Sequence, residues 1–514
     1  MDHNPSQTPP NRADATDVSE FGYKQEMKRE LGWFTSFSLA FGFVSIATGI
    51  FTTYGTVLNN SGPMGIWTWA VAALGQTAVA MVFGALAARI PVSGYSYQWI
   101  SRLANPVLGW IMGWVSFMFL AVVVVAVDYT IAATILPVLF GYEGNTMNAY
   151  VITAGVMLIQ AVMVAWSTRA TRRTNNVAVT IQLIGMLTLT ILLFAVGWFT
   201  GKLDWSNLFS TGAIPAEGYF SLGTLTEAGP WAMGFLLGAF TIVGFESAAN
   251  LTEETKDPAR TVPRAMWQAV VSLGIMGMLF LIAVTAAGGD MIALAQSPTP
   301  VADVISDVLG SVVGKVLLVM VVISIFSCGL TISTSGARLV WAMARDRRFP
   351  GWQSLHVVNK GTGTPMNAMV FLLLIAQVIL AVFSFFSTNA LFALFSAATL
   401  LPALIYAGTV LLYIVKRKSL PPSKGFDLGR WEIPVLIVSA IWLTYELAIF
   451  RDQSFRDPWL YVLVMLAIGG IYFAVLLLKN GRASLTMPDL HDVDKELDAD
   501  ADVAQTPHDD GQPA

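Results

Sequence analysis

Twelve apolar stretches divide this chain, at about residues 34–60, 64–89, 106–137, 149–167, 175–199, 230–250, 265–287, 312–343, 366–386, 389–415, 431–450 and 457–478. Each is near or above the ~20 residues that a helix needs to cross a bilayer. Hydrophobic residues make up 55% of the 514 and charged residues 12%. Soluble domains carry about 25% charged residues, and none of this size buries so much apolar surface. The expectation is an all-α integral membrane protein with twelve transmembrane helices, here spans 1 to 12. Spans 3 and 8 are long enough to tilt or to project beyond the bilayer.

The positive charges set an expected orientation. With the N-terminus inside, the inner segments hold 25 of the 29 Lys and Arg residues. Only Lys202, Lys315, Arg451 and Arg456 fall outside. Cytoplasmic loops carry such an excess, so both termini are expected in the cytoplasm and residues 200–229 outside. The N-terminus is polar to about Glu30 and lacks the apolar core of a secretory signal. Span 1 then serves as the membrane-entry signal. A helical run is expected from about Phe21. Residues 1–20 and the acidic segment from Pro488 read as disordered. The single cysteine, Cys328, leaves no internal disulfide.

Two spans are interrupted by polar residues and glycine. Span 6 runs into Gly244-Phe245-Glu246, and span 1 carries Ser45-Ile46-Ala47-Thr48-Gly49. Glycine weakens a helix by about 1 kcal/mol, and a carboxylate at membrane depth costs at least ~2.5 kcal/mol. Irregular backbone at that depth is tolerated where it lines a cavity inside the protein. Taken alone, a Ser/Thr/Gly cluster also suits a packing face against a neighbouring helix. Spans 1–5 start inside and spans 6–10 start outside, so the interruptions occupy corresponding places in an inverted repeat. A helix restarting after Gly49 would present free N–H groups to a carboxylate, and a helix stopping near Val243 would present carbonyls to an ammonium.

Other residues have competing readings. Asp128 lies deep in span 3, where an acid marks an ion or substrate path or bonds a neighbouring helix. Glu246 suits a coupling acid or a helix cap. Glu446 lies near the outer end of span 11 and close to Arg451, so an interfacial structural role is expected. Ser324, Ser327 and Thr331 of span 8 are candidate sodium ligands, or hydroxyls bonded to their own backbone. The charged run Glu253–Arg264 reads equally as a solvated connector or a gating latch. The four histidines, His3, His356, His491 and His508, all lie outside the spans, which removes a histidine-based intramembrane metal site. No continuous polar stripe suggests a channel.

Several stretches together resemble the amino acid–polyamine–organocation permeases, from about Met27 to Lys418. These are the span 1 cluster, Pro91-Val92-Ser93-Gly94-Tyr95-Ser96-Tyr97, Gly244-Phe245-Glu246, Glu253-Glu254-Thr255-Lys256-Asp257-Pro258, Thr261-Val262-Pro263-Arg264-Ala265, and Arg338 with Ala344-Arg345-Asp346 and Phe349-Pro350. The spacing looks most like the amino acid/choline branch, which includes 4-aminobutyrate, choline and polyamine carriers. The resemblance implies a five-plus-five inverted repeat of the leucine-transporter type. Repeats over 31–200 and 201–418 would lie between an N-terminal tail, 1–30, and two extra helices, 419–480, followed by a tail, 481–514. It also implies a permease rather than an enzyme, coupled to protons or exchange, with discontinuous helices 1 and 6. The substrate site would take Ser45, Ile46, Ala47, Thr48, Gly49, Phe240, Ile242, Val243, Gly244 and Phe245, with Asp128 and Glu246 as coupling candidates. Some relatives hold a lysine in span 5 in place of sodium; this chain has none there, only Asn175, Asn176 and Gln182 as larger polar groups. A non-transporting nutrient sensor shares the implied fold. The expected partners are the bilayer, a small amino acid or amine, and a proton or counter-substrate, without cofactor, metal or nucleic acid.

Overall fold

A computed structural model of the chain describes residues 18–23, 25–166, 168–359, 363–387 and 389–481. The expected disordered ends, residues 1–17 and the acidic segment beyond Pro488, lie outside these residues. The described chain is helical, apart from an isolated parallel β-bridge between Leu31 and Thr255. Eleven helices among the described residues are long and apolar enough to cross a membrane. Spans 1 to 5 are Trp33–Ser61, Pro63–Arg89, Pro106–Phe140, Thr146–Trp166 and Ala170–Thr200. Spans 7 to 12 are Pro258–Ala286, Ser311–Arg345, Met366–Phe386, Ala390–Ser419, Gly429–Ile449 and Gln453–Lys479. Span 6 differs from the others. Its apolar helix is only Pro230–Thr241, followed by a one-turn helix, Ser247–Asn250.

Local chemistry fixes many of the starts. Pro106, Pro230 and Pro258 stand at first helical positions, where the missing N–H costs nothing. The side chains of Asn105 and Asn389 accept the N–H of Leu108 (2.9 Å) and Phe392 (3.1 Å), capping spans 3 and 10.

Burial separates a centre from a rim. The apolar stretches of spans 1 and 3 are 89% buried, against 33% for spans 4 and 11 and 22% for span 12. Span 1 packs on spans 5, 7 and 8, span 2 on spans 7 and 11, and span 3 on spans 8 and 10. Small residues allow these approaches. Gly75 of span 2 lies against Trp442 of span 11, and Gly277 of span 7 against Trp69 of span 2.

The run from Phe21 is not helical. A short turn, Val18–Phe21, leads into an irregular strap that reaches span 1. Its backbone bonds elsewhere: Glu30 and Leu31 donate their N–H to the carbonyl of Glu254, and Lys256 donates to Leu31. Tyr23, Met27 and Leu31 are buried by this route.

Candidate substrate site

Both expected interruptions are present, and the first falls earlier than the sequence suggests. The first half of span 1 ends at Val44 and the second begins at Ile46. Ser45 between them has φ 11° and ψ 102°, outside the helical range. Its Oγ accepts the N–H of Thr48 (3.3 Å) and a bond from the Gln182 side chain (3.3 Å). The Gly49 N–H already bonds the Ser45 carbonyl, so the helix restarts before Gly49 rather than after it. The unsatisfied first-turn N–H groups therefore belong at Ile46 and Ala47.

Span 6 stops at Thr241, two residues before Val243. The chain then crosses Ile242–Glu246 without helical structure and turns at Gly244, whose φ is +87°. Only glycine takes that conformation freely, and a Cβ there would lie 1.8 Å from a ring carbon of Phe43. A Cβ on Gly49 would lie 1.9 Å from Oγ1 of Thr241. Each glycine thus lets one interruption touch the other, and neither faces open space. Both glycines bring the two breaks together.

Tyr406 of span 10 ties the second break. Its hydroxyl accepts the Gly244 N–H (2.8 Å) and donates to Oε2 of Glu246 (2.7 Å). Glu246 precedes the Ser247–Asn250 helix, yet its side chain caps no N–H of that helix. Phe245 packs against Tyr406 and Phe83, and Phe240 against Phe395. Among Ser45, Ile46, Ala47, Thr48, Phe240, Ile242, Val243, Phe245 and Glu246, none is more than 4% exposed. The two breaks form a buried centre.

Asp128 does not line this centre. It is fully buried in span 3, where Oδ1 accepts the side-chain N–H of Gln160 (2.8 Å) and Oδ2 has no partner. It lies against Gly329 of span 8, where a Cβ would come within 2.5 Å of Oδ1. The neighbouring Cys328 thiol donates to the carbonyl of Phe43, two residues before the first break (2.9 Å). Adjacent residues of span 8 thus touch the acid and the segment before the first break. A π-helical turn, Ile131–Ile135, follows Asp128 in the same span; such turns often accompany functional sites.

The span 8 hydroxyls are engaged. Ser327 and Thr331 both donate to Oδ1 of Asn175 in span 5, at 3.1 and 2.7 Å, and Ser324 bonds its own helix at Met320. No cluster of metal-binding side chains occurs among the described residues.

The Amino acid permease family profile matches residues 31–472. The chain belongs to the amino acid permease family. Three relatives show how far the likeness extends. The amino-acid permease BAT1 of Arabidopsis thaliana is 27% identical, over 83% of this chain and 86% of its own. The BAT1 homolog of Oryza sativa is 28% identical, over 89% of this chain and 92% of its own. The GABA-specific permease of Saccharomyces cerevisiae is 24% identical, over 82% and 75%.

In this permease residues from several elements are tied together at the end rich in Lys and Arg. Both carboxylate oxygens of Glu253 pair with Arg345, at 3.0 and 3.1 Å, and Oε1 also accepts the Ser93 N–H. Glu254 pairs with Arg338 at 2.9 Å. Tyr23 of the strap lies under the Arg345 guanidinium, 3.8 Å from its ring centre, and donates to Asp346. Glu253 and Glu254 are 1% and 6% exposed, so the start of the charged run is buried and ion-paired rather than a solvated connector. Sequence reasoning did not single out Tyr406 or Gln160. Neither belongs to a motif, and both act across helices distant in sequence.

Proposed function

We propose that this permease is a secondary active transporter of amino acids or related amines in a cell membrane. It works by alternating access, with the basic end and both termini in the cytoplasm. The observation that carries this reading is the pair of mid-span helix breaks, packed on each other and wholly enclosed. Spans 1–5 and 6–10 act as inverted repeats around that centre. Ser45, Ile46, Ala47, Thr48 and Gly49 form the carboxylate side, because helix-start N–H groups and the positive dipole end attract an anion. Phe240, Ile242, Val243, Gly244 and Phe245 form the amine side, where the helix ending at Thr241 offers carbonyls. The relatives, amino-acid permeases and a GABA-specific permease, support this substrate class, and the yeast permease brings 4-aminobutyrate within it.

Coupling is assigned to a proton, or to exchange. Asp128 is the favoured proton carrier, because its carboxyl has one donor, no cation beside it and no place in the substrate centre. That position weighs against ammonium binding. Glu246, bonded to Tyr406, is the second coupling candidate and closes the centre toward the basic end. The bonds of Ser327 and Thr331 to Asn175 weigh against a sodium site.

Purified protein in liposomes, offered labelled amino acids, 4-aminobutyrate, choline and polyamines, tests the reading. At least one substrate should accumulate when a pH gradient is imposed. Asp128→Asn should lose uphill uptake and keep exchange at equal pH. Wild-type pH dependence in that variant removes the proton role, and uptake of no compound by the wild type leaves a sensor.

A further inference from the structure

Glu446 lies outside everything assigned above. Its residue is 0% exposed, and neither carboxyl oxygen has a partner. Arg451, a turn further on, does not reach it; that guanidinium bonds the carbonyls of Leu222, Thr224 and Ala448. Glu446 is therefore enclosed by protein and unpaired with Arg451. Other buried residues on spans 2, 10 and 11 share the same deficiency. Trp442, one turn earlier on the same helix face, packs on Gly75 and Phe235 while its indole N–H is unpartnered. Gln76, next to Gly75, is fully buried with neither amide atom bonded, and Ser396 of span 10 is fully buried with a free hydroxyl. Spans 2, 10 and 11 pack mutually, and spans 2 and 10 also pack on the outer half of span 6.

Each unpartnered buried polar group costs about 1–3 kcal/mol. Six such atoms on three adjoining helices are groups of the kind that internal water bridges. An unpaired carboxylate would add several kcal/mol more. A proton taken from that water removes this cost. The facing elements supply no counter-charge. Span 2 has only Arg89, at its basic end; the titratable groups of span 10 are Tyr406, Tyr413, Lys416 and Arg417–Lys418, all in its basic half; Pro230–Thr241 has none; and on span 11 itself Arg430 and Glu432 stand at the basic end, while Tyr445 turns its ring onto Phe235.

We propose that Glu446 is a proton-binding site in a hydrated layer between spans 2, 10 and 11, behind the substrate centre. It loads from the face opposite the basic end. Its ligand is a proton delivered by water, and the carboxyl alternates between acid and carboxylate with no other bond made or broken. The readout rests on the transport reading, so exchange and spectroscopy accompany it. Uptake by the wild type should rise as the external side is acidified. Glu446→Gln should lose that external dependence while equal-pH exchange continues, and Glu446→Asp should keep it. Infrared spectra of the reconstituted wild type should contain a carboxylic acid C=O band that Glu446→Gln lacks and that shifts in heavy water. An unchanged external pH profile in Glu446→Gln, or a carboxylic band identical to wild type, overturns the proposal. The infrared arm also decides the case in which Glu446→Gln does not fold, because the band of Glu446→Asp must then move. Absence of both uptake and exchange in the wild type would instead defeat the transport reading.

Discussion

At the scale of single residues, Gly49 and Gly244 set the geometry of the centre. Their hydrogens face Thr241 and Phe43, closer than any Cβ fits. Gly49→Ala should therefore act through packing, at about 1–3 kcal/mol for an overfilled core. The melting temperature and the uptake should fall together. Thr241→Gly in the same protein should restore both, since it removes the colliding side chain. If the double variant stays as inactive as Gly49→Ala, Gly49 serves something other than the contact between breaks. Glycine in an apolar span signals such a site from sequence, but which neighbour demands it depends on a residue almost two hundred positions away. The same limit explains Ser45. Ser, Thr and Gly at 45–49 marked the interruption, while the four-residue difference in where the helix restarts comes from Ser45 capping Thr48 and meeting Gln182. Proximity in sequence puts Arg451 beside Glu446, but the folded loop turns that guanidinium to backbone carbonyls.

Among the elements, the long spans were legible because apolar length alone defines them. Span 6 was legible as a broken helix because Gly244 and Glu246 oppose an apolar run. The strap was not: its apolar spacing fits a helix, yet bonds to the Glu254–Lys256 segment draw it into an irregular path. That strap and the Glu253–Arg345 and Glu254–Arg338 pairs close the basic end over a small cavity between spans 1, 5 and 8, which Thr334 lines. Removing one partner of a buried ion pair costs about 3–5 kcal/mol. Glu253→Gln should therefore favour the state open at that end. On a Cys328→Ser background, Thr334→Cys should react faster with a thiol reagent when Glu253→Gln is added. The reagent should act from the cytoplasmic side only. Equal rates with and without Glu253→Gln would mean that the latch does not control access.

For the whole molecule, the account is a twelve-span permease whose two broken helices enclose one site and expose it to each side in turn. Apolar length made the spans readable; the burial of the two breaks was not readable, because it comes from side chains of spans 2, 8 and 10 packing on spans 1 and 6. The most direct measurement places a cysteine within the first break, Ala47→Cys on a Cys328→Ser background. Reconstituted vesicles of both orientations are treated with an impermeant thiol reagent. The account predicts labelling from either side, and protection from both by the same transported amino acid. Labelling from neither side, or labelling that no amino acid blocks, would contradict it.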